Sequence, residues 1–415
     1  MSPLKSRGAA SPLDFANRTT NRPPAVRHPF HLNLLRAPGQ TLACPLGFIL
    51  TPVTAQAQEE STCVDFVPPI WVYANFVLTE SFAKSSTCRR RFQTNDRGEI
   101  PVKAIVVTDQ AAGTAGMKLA ERPEPTAAIN DVMVQIHASG FVPTEMEWPS
   151  TWTDRGDRDR TPSIPGHELA GVVTALGYGT TGLSVGQRVF GLADWYRDGT
   201  LAEYLAIEAR NLAPLPGDVD FTVGASLPIS GLTAWQGLFE HGRLRAGQSV
   251  IAHGAAGAVG SMVTQLARLA GAHVIGTGRA ADRQKVLDFG AQEFVDLESD
   301  TLEDVGSVDL VFDVIGGDIG KRSARLIRPG GTFVSIVGPS EARPVDGLAI
   351  DFVVESDRAQ LSEIVQRVRD GRLRTHIGTV VPLEDAVAAL NSTERRSGKT
   401  VIRVCAGARL PGGEP

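Results

Sequence analysis

The sequence predicts an α/β protein in which a β-rich domain is interrupted by a doubly wound parallel sheet. Three observations predict this architecture. Residues 102–220 contain short β-branched runs punctuated by Gly and Pro, as in a barrel-like β domain. Residues 221–350 alternate strand-like and helical stretches, which is typical of a parallel sheet with helices on both faces. Residues 351–405 return to a β-rich style, so we expect the chain to re-enter its first domain before a flexible tail at 406–415.

The individual elements follow from local patterns of apolar, β-branched and turn-forming residues. In the predicted helix Asp357–Gly371 the apolar residues recur on one face at helical spacing. The expected strands are Lys103–Thr108, Asp131–Ile136, Ala170–Thr174, Arg188–Phe190, Ser249–His253, His273–Thr277, Glu293–Asp296, Asp309–Ile315, Thr332–Val337, Leu348–Phe352, Ile377–Val381 and Thr400–Val404, with a further helix at Leu383–Leu390.

The most informative pattern in the chain runs from Ser249 to Gly271. A β-branched run ends in a Gly-rich turn, and an amphipathic segment starts at once. Gly254, Gly257 and Gly260 carry no Cβ that would block a close approach to the backbone. The N-terminus of the following helix would present free N–H groups and its positive dipole end to a pyrophosphate. A lone Gly-rich turn is weak evidence, but this strand–turn–helix context predicts a dinucleotide site, with Gly271 as the helix C-cap.

Composition excludes several other classes of protein. The chain has 415 residues, of which 42% are hydrophobic and 21% charged, as in an ordinary soluble globular protein. The net charge of −5 gives no basic stripe for nucleic acid, and no stretch is suited to span a membrane. The cysteines contain no C-x-x-C pair, which fits a reducing compartment, and we expect a cytoplasmic protein. They are Cys44, Cys63, Cys88 and Cys405.

The first hundred residues differ from the rest. Residues 1–36 hold six basic residues and one acid, a composition that also occurs in transit peptides. Residues 1–101 lack sustained periodicity, so we favour a disordered or arbitrary extension over a targeting signal. Strand-like sequence starts abruptly at Val102. We therefore hypothesise that Val102 is the natural start, read from a GTG codon, which the intact mass of the natural protein tests.

Several motifs beyond the Gly-rich turn point to one family. They are PGHE (Pro165–Glu168) with Gly171 following, VGQRVFGLAD (Val185–Asp194), GTLAEY (Gly199–Tyr204), SLPISGLTAW (Ser226–Trp235) and SGKTV (Ser397–Val401). Together they resemble the medium-chain dehydrogenase/reductase superfamily, and within it the zinc-free, zeta-crystallin-like NADPH:quinone oxidoreductase branch. The resemblance covers residues 102–405. It implies a GroES-like β-barrel catalytic domain at 102–220 and 351–405 around a Rossmann-type doubly wound parallel sheet at 221–350.

The resemblance also implies that this chain lacks catalytic zinc. Metal-dependent relatives place a Cys where this sequence has Val142, and their later ligand falls in the segment 229–232, which holds neither Cys nor His. His167 of the Gly-His-Glu motif remains, but zinc needs three protein ligands. We therefore predict no metal, and we interpret His167 and Glu168 as packing or hydrogen-bonding residues.

Cofactor preference is read at the end of the second strand of the parallel sheet. NAD enzymes usually place an acid there, about twenty residues beyond the glycines. This chain has Thr277, Gly278 and Arg279, with Arg283 nearby, and either guanidinium could pair with a 2′-phosphate. The sequence therefore favours NADPH, although both arginines could be solvated helix residues. The cofactor contacts that the turn and the resemblance imply are Gly254, Ala256, Gly257, Ala258, Val259, Gly260, Thr277, Gly278, Arg279, Arg283, Ile336, Val337, Gly338, Phe352, Val353 and Val354.

The reaction implied by the resemblance is hydride transfer to a quinone or an α,β-unsaturated carbonyl. Without zinc, the developing oxyanion needs a hydroxyl, an amide N–H or water, and the hydroxyl candidates are Ser139, Thr144 and Tyr196. The family's usual aromatic near the nicotinamide is replaced by Glu147, which leaves quinone specificity open, and Trp148 or Trp152 could supply the missing ring.

Two other functions stay open. A non-catalytic NADPH-binding sensor or structural protein would bind the cofactor without oxidising it. A zinc-type alcohol dehydrogenase is disfavoured by Val142. The resemblance further implies a homodimer formed through the nucleotide-binding sheets, with Leu348–Phe352 near the edge.

Overall fold

The computed structural model describes residues 101–392 and 397–405, and the predicted extension and tail lie outside the described residues except for Pro101. The strands are β1 (Pro101–Val106), β2 (Lys118–Pro123), β3 (Asp131–Phe141), β4 (Glu168–Leu176), β5 (Arg188–Leu192), β6 (Tyr204–Glu208), β7 (Leu212–Pro214), β8 (Ser249–Ala252), β9 (His273–Gly278), β10 (Glu293–Asp296), β11 (Val308–Asp313), β12 (Ile327–Ser335), β13 (Gly347–Asp351), β14 (Ile377–Pro382) and β15 (Lys399–Arg403). The helices are α1 (Pro149–Trp152), α2 (Phe221–Ser226), α3 (Pro228–Trp235), α4 (Ala258–Leu269), α5 (Arg283–Asp288), α6 (Gly317–Ala324), α7 (Arg358–Arg369) and α8 (Ala386–Leu390).

The central strands β8 to β13 form the predicted parallel sheet. Its order is β10-β9-β8-β11-β12-β13, and every neighbouring pair is parallel. The order reverses between β8 and β11, which is the topological switch point where α/β sheets bind ligands. Its central strands β8 and β11 are mostly apolar and buried, as expected where helices cover both faces of such a sheet.

Strands β1 and β2 form a separate two-stranded sheet, and the remaining long sheet combines strands that precede and follow the parallel sheet in the chain. Its order is β14-β15-β3-β4-β5-β7, with β6 also paired to β3. The closing strand β15 runs antiparallel to β3, so that Thr400 pairs with Phe141 and Arg403 with Ala138. The chain therefore re-enters its first domain, as the return to a β-rich pattern indicates.

One apolar core joins the two sheets. It includes Phe190 of β5, Phe312 of β11 and Leu361 of α7, all fully buried. Each such side chain stabilises the fold by about 1.5–3 kcal/mol relative to an exposed position. The β-rich domain and the parallel sheet are therefore packed against each other rather than linked loosely.

Helix α4 forms directly after the Gly-rich turn, where the amphipathic segment is expected. Its buried face includes Val263, Leu266 and Ala267, which are the apolar positions at helical spacing. Gly271 follows the C-cap Ala270 with φ of +81°, the left-handed conformation that glycine adopts without strain. The sequence predicts Gly271 as the C-cap, and the structure places it one residue beyond the C-cap.

No helix within 101–392 and 397–405 is long and apolar enough to cross a membrane.

Candidate cofactor and substrate site

The Gly-rich turn lies at the switch point between the end of β8 and the start of α4. Its shape is fixed by backbone hydrogen bonds from Gly257 to Gly254 (2.8 Å) and from Ala255 to the carbonyl of Thr277 in β9 (2.9 Å). The first helical bond runs from Ser261 to Gly257. The N–H groups of the first turn of α4 therefore lack helical acceptors, and the exposed Gly257 opens this end to a ligand.

Two of the glycines are required by close contacts. Gly254 has φ of +56°, and a Cβ there would lie 2.9 Å from a methyl group of Val314. A Cβ on Gly260 would lie 2.1 Å from the carbonyl oxygen of Gly254, which is far inside van der Waals contact. Glycine at 260 lets α4 start directly against the turn, as a dinucleotide turn requires.

The predicted ribose end of the site lies where β9 ends. Arg279 and Arg283 are exposed, and their ion pairs are long: 3.7 Å to Glu298 and 3.6 Å to Asp300. Such surface pairs contribute little, so either guanidinium can turn to a phosphate. Both acids follow β10, which pairs with β9. They are distant from Arg279 and Arg283 along the chain, so the residues that follow β9 do not predict them. The hydroxyl of Thr277 is fully buried and forms a hydrogen bond with Nδ1 of His253 at 2.8 Å.

The carboxyl ends of β11, β12 and β13 expose three apolar side chains. Ile315, Val337 and Val353 are 41%, 42% and 73% exposed. Phe352 is half-buried, and its ring centroid lies 4.5 Å from that of His241. Val354 is buried. The structure thus brings the predicted segments 336–338 and 352–354 to the same sheet edge as the Gly-rich turn, with an apolar surface suited to a flat ring.

A buried carboxylate shapes the turn after β11, and sequence reasoning missed it. Asp313 is fully buried, and its Oδ1 accepts hydrogen bonds from the N–H groups of Ile315 (3.0 Å) and Gly316 (2.9 Å). The hydroxyl of Ser335 donates to its Oδ2 at 3.3 Å. An acid that ends an apolar strand just before Gly316 and Gly317 was the available signal.

A buried acid–imidazole pair lies in the β-rich domain. The Oε2 atom of Glu145 is 2.5 Å from Nδ1 of His167, and its Oε1 accepts from the N–H of Val142 at 2.9 Å. The His167 ring contacts those of Trp148 and Trp195, with centroids 5.6 and 4.7 Å apart. His167 is thus satisfied by a hydrogen bond and by packing, as we interpreted it, but its partner Glu145 was not singled out.

The next residue, Glu168, is held by a second buried pair. Its carboxylate forms an ion pair with Lys399 of β15, and its Oε1 accepts from the N–H of Ile229 at 2.8 Å. The ammonium of Lys399 also reaches Oγ of Ser230 at 3.3 Å. Complete burial raises the pKa of Glu168, and Lys399 opposes that rise. Glu168 therefore ties β4 to the start of α3.

Within 101–392 and 397–405, no three His, Cys, Asp or Glu side chains are grouped so that they could hold a metal ion. Val142 offers no side-chain ligand, and Ser230 in the later segment bonds to Lys399.

A cavity of about 600 Å³ lies between the β-rich domain and the start of α7. It is lined by the segments 192–195 and 355–359, together with Arg155, Arg210 and Asn211. Trp195 lines this cavity and contacts the ring of His167, and 355–359 directly follows 352–354, one of the predicted cofactor-contact segments. The cavity is the candidate place for a substrate.

The three predicted catalytic residues have different surroundings. Tyr196 is 39% exposed, with the guanidinium of Arg155 5.3 Å from its ring centroid. Thr144 is exposed. Ser139 is fully buried, and its Oγ lies 2.7 Å from Oγ1 of Thr200, which is buried too. The described conformation therefore offers the hydroxyl groups of Tyr196 and Thr144, but not that of Ser139, to a ligand.

The two tryptophans considered as replacement rings also differ. Trp148 contacts both His167 and Trp195. Trp152 is buried, and its indole N–H donates to the carbonyl of Met146 at 2.9 Å. Only Trp148 of the two lies at the candidate site, beside the exposed Glu147.

Comparisons with known proteins agree with this geometry. Residues 128–217 match the alcohol dehydrogenase GroES-like domain, and residues 289–402 match a family described as zinc-binding dehydrogenase. A quinone oxidoreductase of Rattus norvegicus is 30% identical over 299 residues, which cover 66% of this chain and 88% of the relative. A 2-methylene-furan-3-one reductase of Solanum lycopersicum is 31% identical over 259 residues, covering 58% of this chain and 63% of the relative.

Solved structures show the same architecture. The structure of the quinone oxidoreductase from Coxiella burnetii matches with a TM-score of 0.66 and 25% identity, covering 74% of this chain and 100% of that chain. The predicted fold, a GroES-like domain with a Rossmann-type parallel sheet, is confirmed.

Proposed function

Because the chain belongs to the medium-chain dehydrogenase/reductase superfamily of oxidoreductases, whose members bind a nicotinamide cofactor, we propose that it is a zinc-independent, NADPH-dependent reductase. The acceptor is a quinone or an α,β-unsaturated carbonyl. The observation that carries this proposal is the shared sheet edge, where the Gly-rich turn, two arginines and an apolar surface meet. A cavity lined by 192–195 and 355–359 adds a place for the acceptor.

The preference for NADPH rests on Arg279 and Arg283. Their guanidinium groups lie just beyond β9. Their ion pairs with Glu298 and Asp300 are 3.7 and 3.6 Å long and solvent-exposed, and the guanidinium of Arg283 also lies 4.9 Å from the ring centroid of Phe294. A 2′-phosphate would offer a doubly charged partner and charge-assisted hydrogen bonds. NADH would offer neutral hydroxyl groups to the same cations.

The chain's residues fit the cofactor without a metal. The open end of α4 would hold the pyrophosphate, and Ile315, Val337 and Val353 would exclude water from one face of the nicotinamide. When bound, NADPH supplies a hydride from C4 of that ring. Independence from zinc is supported by Val142 and by the pairing of His167 with Glu145.

The acceptor class is supported by the cavity and by chemical balance. When a hydride adds to the β-carbon of an enone, the alkene electron pair forms a double bond between the α-carbon and the carbonyl carbon, and the carbonyl π pair moves to oxygen. Protonation at the α-carbon then restores the carbonyl. A quinone takes a hydride and a proton to give a hydroquinone. Tyr196 and Thr144 are the exposed hydroxyl groups that we propose as donors to the oxygen, and Ser139 could serve only after leaving Thr200.

The assay that tests this proposal follows NADPH oxidation by the full-length protein. An ortho-quinone, an enone, an alkenal and a simple aldehyde serve as acceptors, with NADH and a chelator as controls. Turnover of quinone or enone that a chelator does not affect, and that is faster with NADPH, is the expected result. Tyr196→Phe separates loss of the hydroxyl from loss of the ring.

Two outcomes would contradict the proposal. Tight NADPH binding without turnover on any acceptor would identify a sensor or structural protein instead. Loss of activity on chelation would identify a metal enzyme.

We also propose a homodimer. Strand β13 is the edge of the parallel sheet, where Leu348 is exposed, and an unpaired edge of this kind can pair with a second chain. A cytoplasmic location is proposed from the cysteine pattern alone.

A further inference from the structure

A chain of hydrogen bonds is buried directly beneath the Gly-rich turn. His253 lies between β8 and Gly254, and both of its ring nitrogens are engaged. Nδ1 is 2.8 Å from Oγ1 of Thr277 in β9, and Nε2 is 2.7 Å from Oγ of Ser323 in α6. All three side chains are fully buried. The imidazole therefore joins β9, which pairs with β8, to α6, which packs on β11 and β12.

The direction of each hydrogen bond in this chain can be assigned. The hydroxyl of Ser323 donates to the carbonyl of Ile319, so its single hydrogen is used there and its oxygen accepts from Nε2–H of His253. Burial lowers the pKa of His253 to about 4, so the ring carries only that one proton at neutral pH. Nδ1 is then an acceptor, and the hydroxyl of Thr277 donates to it.

This assignment gives Thr277 two links to the turn. Its hydroxyl donates to His253, and its carbonyl accepts from the N–H of Ala255 at 2.9 Å. The backbone N–H of His253 is itself held by the carbonyl of Phe312 in β11 at 3.0 Å. Thr277 directly precedes Gly278 and Arg279, so its position sets where the arginine side chain begins.

Apolar side chains could fill the same space without the hydrogen bonds that join His253, Thr277 and Ser323. Burying three polar side chains costs desolvation, which only a fully satisfied set of hydrogen bonds offsets. In return, such a network fixes one arrangement of its members, because each donor has a single acceptor. The arrangement fixed here is that of the ribose end of β9 against the phosphate turn.

We propose that His253 is a positioning residue that sets the site's preference for the 2′-phosphate, by holding Thr277, and with it the end of β9, against the Gly-rich turn. This inference rests on the proposed use of NADPH. His253 contacts neither cofactor nor substrate in this role. It acts through Thr277, whereas its bond to Ser323 keeps the ring in the orientation that Thr277 needs.

Two substitutions at the same position separate the two links. The side-chain amide of His253→Asn reaches about as far as Nδ1 and can still accept from Thr277. The amide of His253→Gln reaches about as far as Nε2 and keeps the bond to Ser323 only. Thr277→Val removes the hydroxyl at nearly constant volume, and Thr277→Ser keeps the hydroxyl as its control.

The experiment measures dissociation constants by calorimetry for NADPH, NADH, adenosine 2′,5′-bisphosphate and AMP, with thermal melting to show that each variant is folded. We expect Thr277→Val and His253→Gln to weaken binding of NADPH and of the bisphosphate roughly tenfold. This is the effect expected if Arg279 loses about one charge-assisted hydrogen bond to the 2′-phosphate. Binding of NADH and AMP should change little. His253→Asn and Thr277→Ser should stay within about threefold of the unsubstituted protein.

The outcomes are distinguishable from failure of the proposed function. If Thr277→Val and His253→Gln melt at lower temperature but discriminate NADPH from NADH as before, the network only supports the fold and this inference is wrong. If His253→Asn loses as much discrimination as His253→Gln, the link through Thr277 is wrong. If the unsubstituted protein binds no NADPH, the proposed function fails and this inference fails with it.

Discussion

Lys399 of the closing strand forms a completely buried ion pair with Glu168, the residue that follows His167 in the Gly-His-Glu motif. The ammonium also contacts Ser230 at the start of α3. A strand near the C-terminal end of the described chain therefore supplies the cation that neutralises an acid beside the candidate site. Breaking such a pair leaves a buried charge without a partner, which costs more than losing the attraction itself.

We expect Lys399→Met to lower the free energy of unfolding by about 3–5 kcal/mol, because Glu168 stays buried without its cation. Urea unfolding followed by circular dichroism measures this change. The double variant Glu168→Gln, Lys399→Met should recover much of the loss. A double variant as unstable as Lys399→Met would show that the packing of the lysine stem, and not its charge, matters.

Cofactor preference should depend on the two exposed arginines. We expect Arg279→Gln combined with Arg283→Gln to raise KM for NADPH at least tenfold, because charge-assisted bonds to the 2′-phosphate are lost. The KM for NADH should change little, and kcat should be kept. Arg245→Gln, on an exposed turn before β8, is a matched control. Equal rises in both KM values would contradict the assignment of these arginines to the 2′-phosphate.

The Gly-rich turn should tolerate alanine at one glycine far better than at another. In Gly260→Ala the new methyl would lie 2.1 Å from the carbonyl oxygen of Gly254, whereas in Gly257→Ala it would lie 3.2 Å from the same atom. Gly257 also has φ of −77°, which alanine adopts. We expect Gly260→Ala to lower the melting temperature and abolish measurable NADPH binding. Gly257→Ala should melt close to the unsubstituted protein, and equal melting of the two variants would contradict the close contact.

Stability should fall on acidification through the buried imidazole. Burial lowers the pKa of His253 to about 4, and Asp313, which opposes this shift, is the charged neighbour that acts on it. Between pH 6.5 and pH 4 the unfolded chain binds a proton that the folded chain does not, so unfolding becomes easier as the pH falls. The loss approaches about 3 kcal/mol and ends once both states are protonated.

Urea unfolding at several pH values checks this prediction. His253→Asn carries no titrating ring, so its stability should fall less steeply between pH 6.5 and pH 4. Parallel pH profiles for the two proteins would show that His253 is not the group responsible.

The sequence predicts the sheet strands well because each carries its own local signal. Glu293–Asp296 has the predicted bounds, and the helix predicted at Asp357–Gly371 forms at Arg358–Arg369. Local patterns are less informative where pairing with a neighbouring strand determines whether a segment becomes a strand. Lys118–Pro123 has few apolar residues, yet it forms β2 because β1 provides a complete antiparallel partner.

The candidate site shows the same division. The role of Gly254 and Gly260 is predictable from the strand–turn–helix context. Glu145, Asp313 and His253 do not, because their importance comes from partners that the fold brings together. Ser139 is a further case, since nothing in its neighbouring residues indicates that Thr200 would bury its hydroxyl.

The pairing of β15 with β3 has a consequence for how the protein is made. The parallel sheet uses a continuous stretch of chain, so all its strands are available once β13 has left the ribosome. The β-rich domain starts earlier but cannot close until β15 is synthesised, and until then residues 138–141 of β3 present a bare strand edge. Bare edges invite pairing with other chains. The domain translated first is thus the last to be completed, and its aggregation hazard ends only when the closing strand arrives.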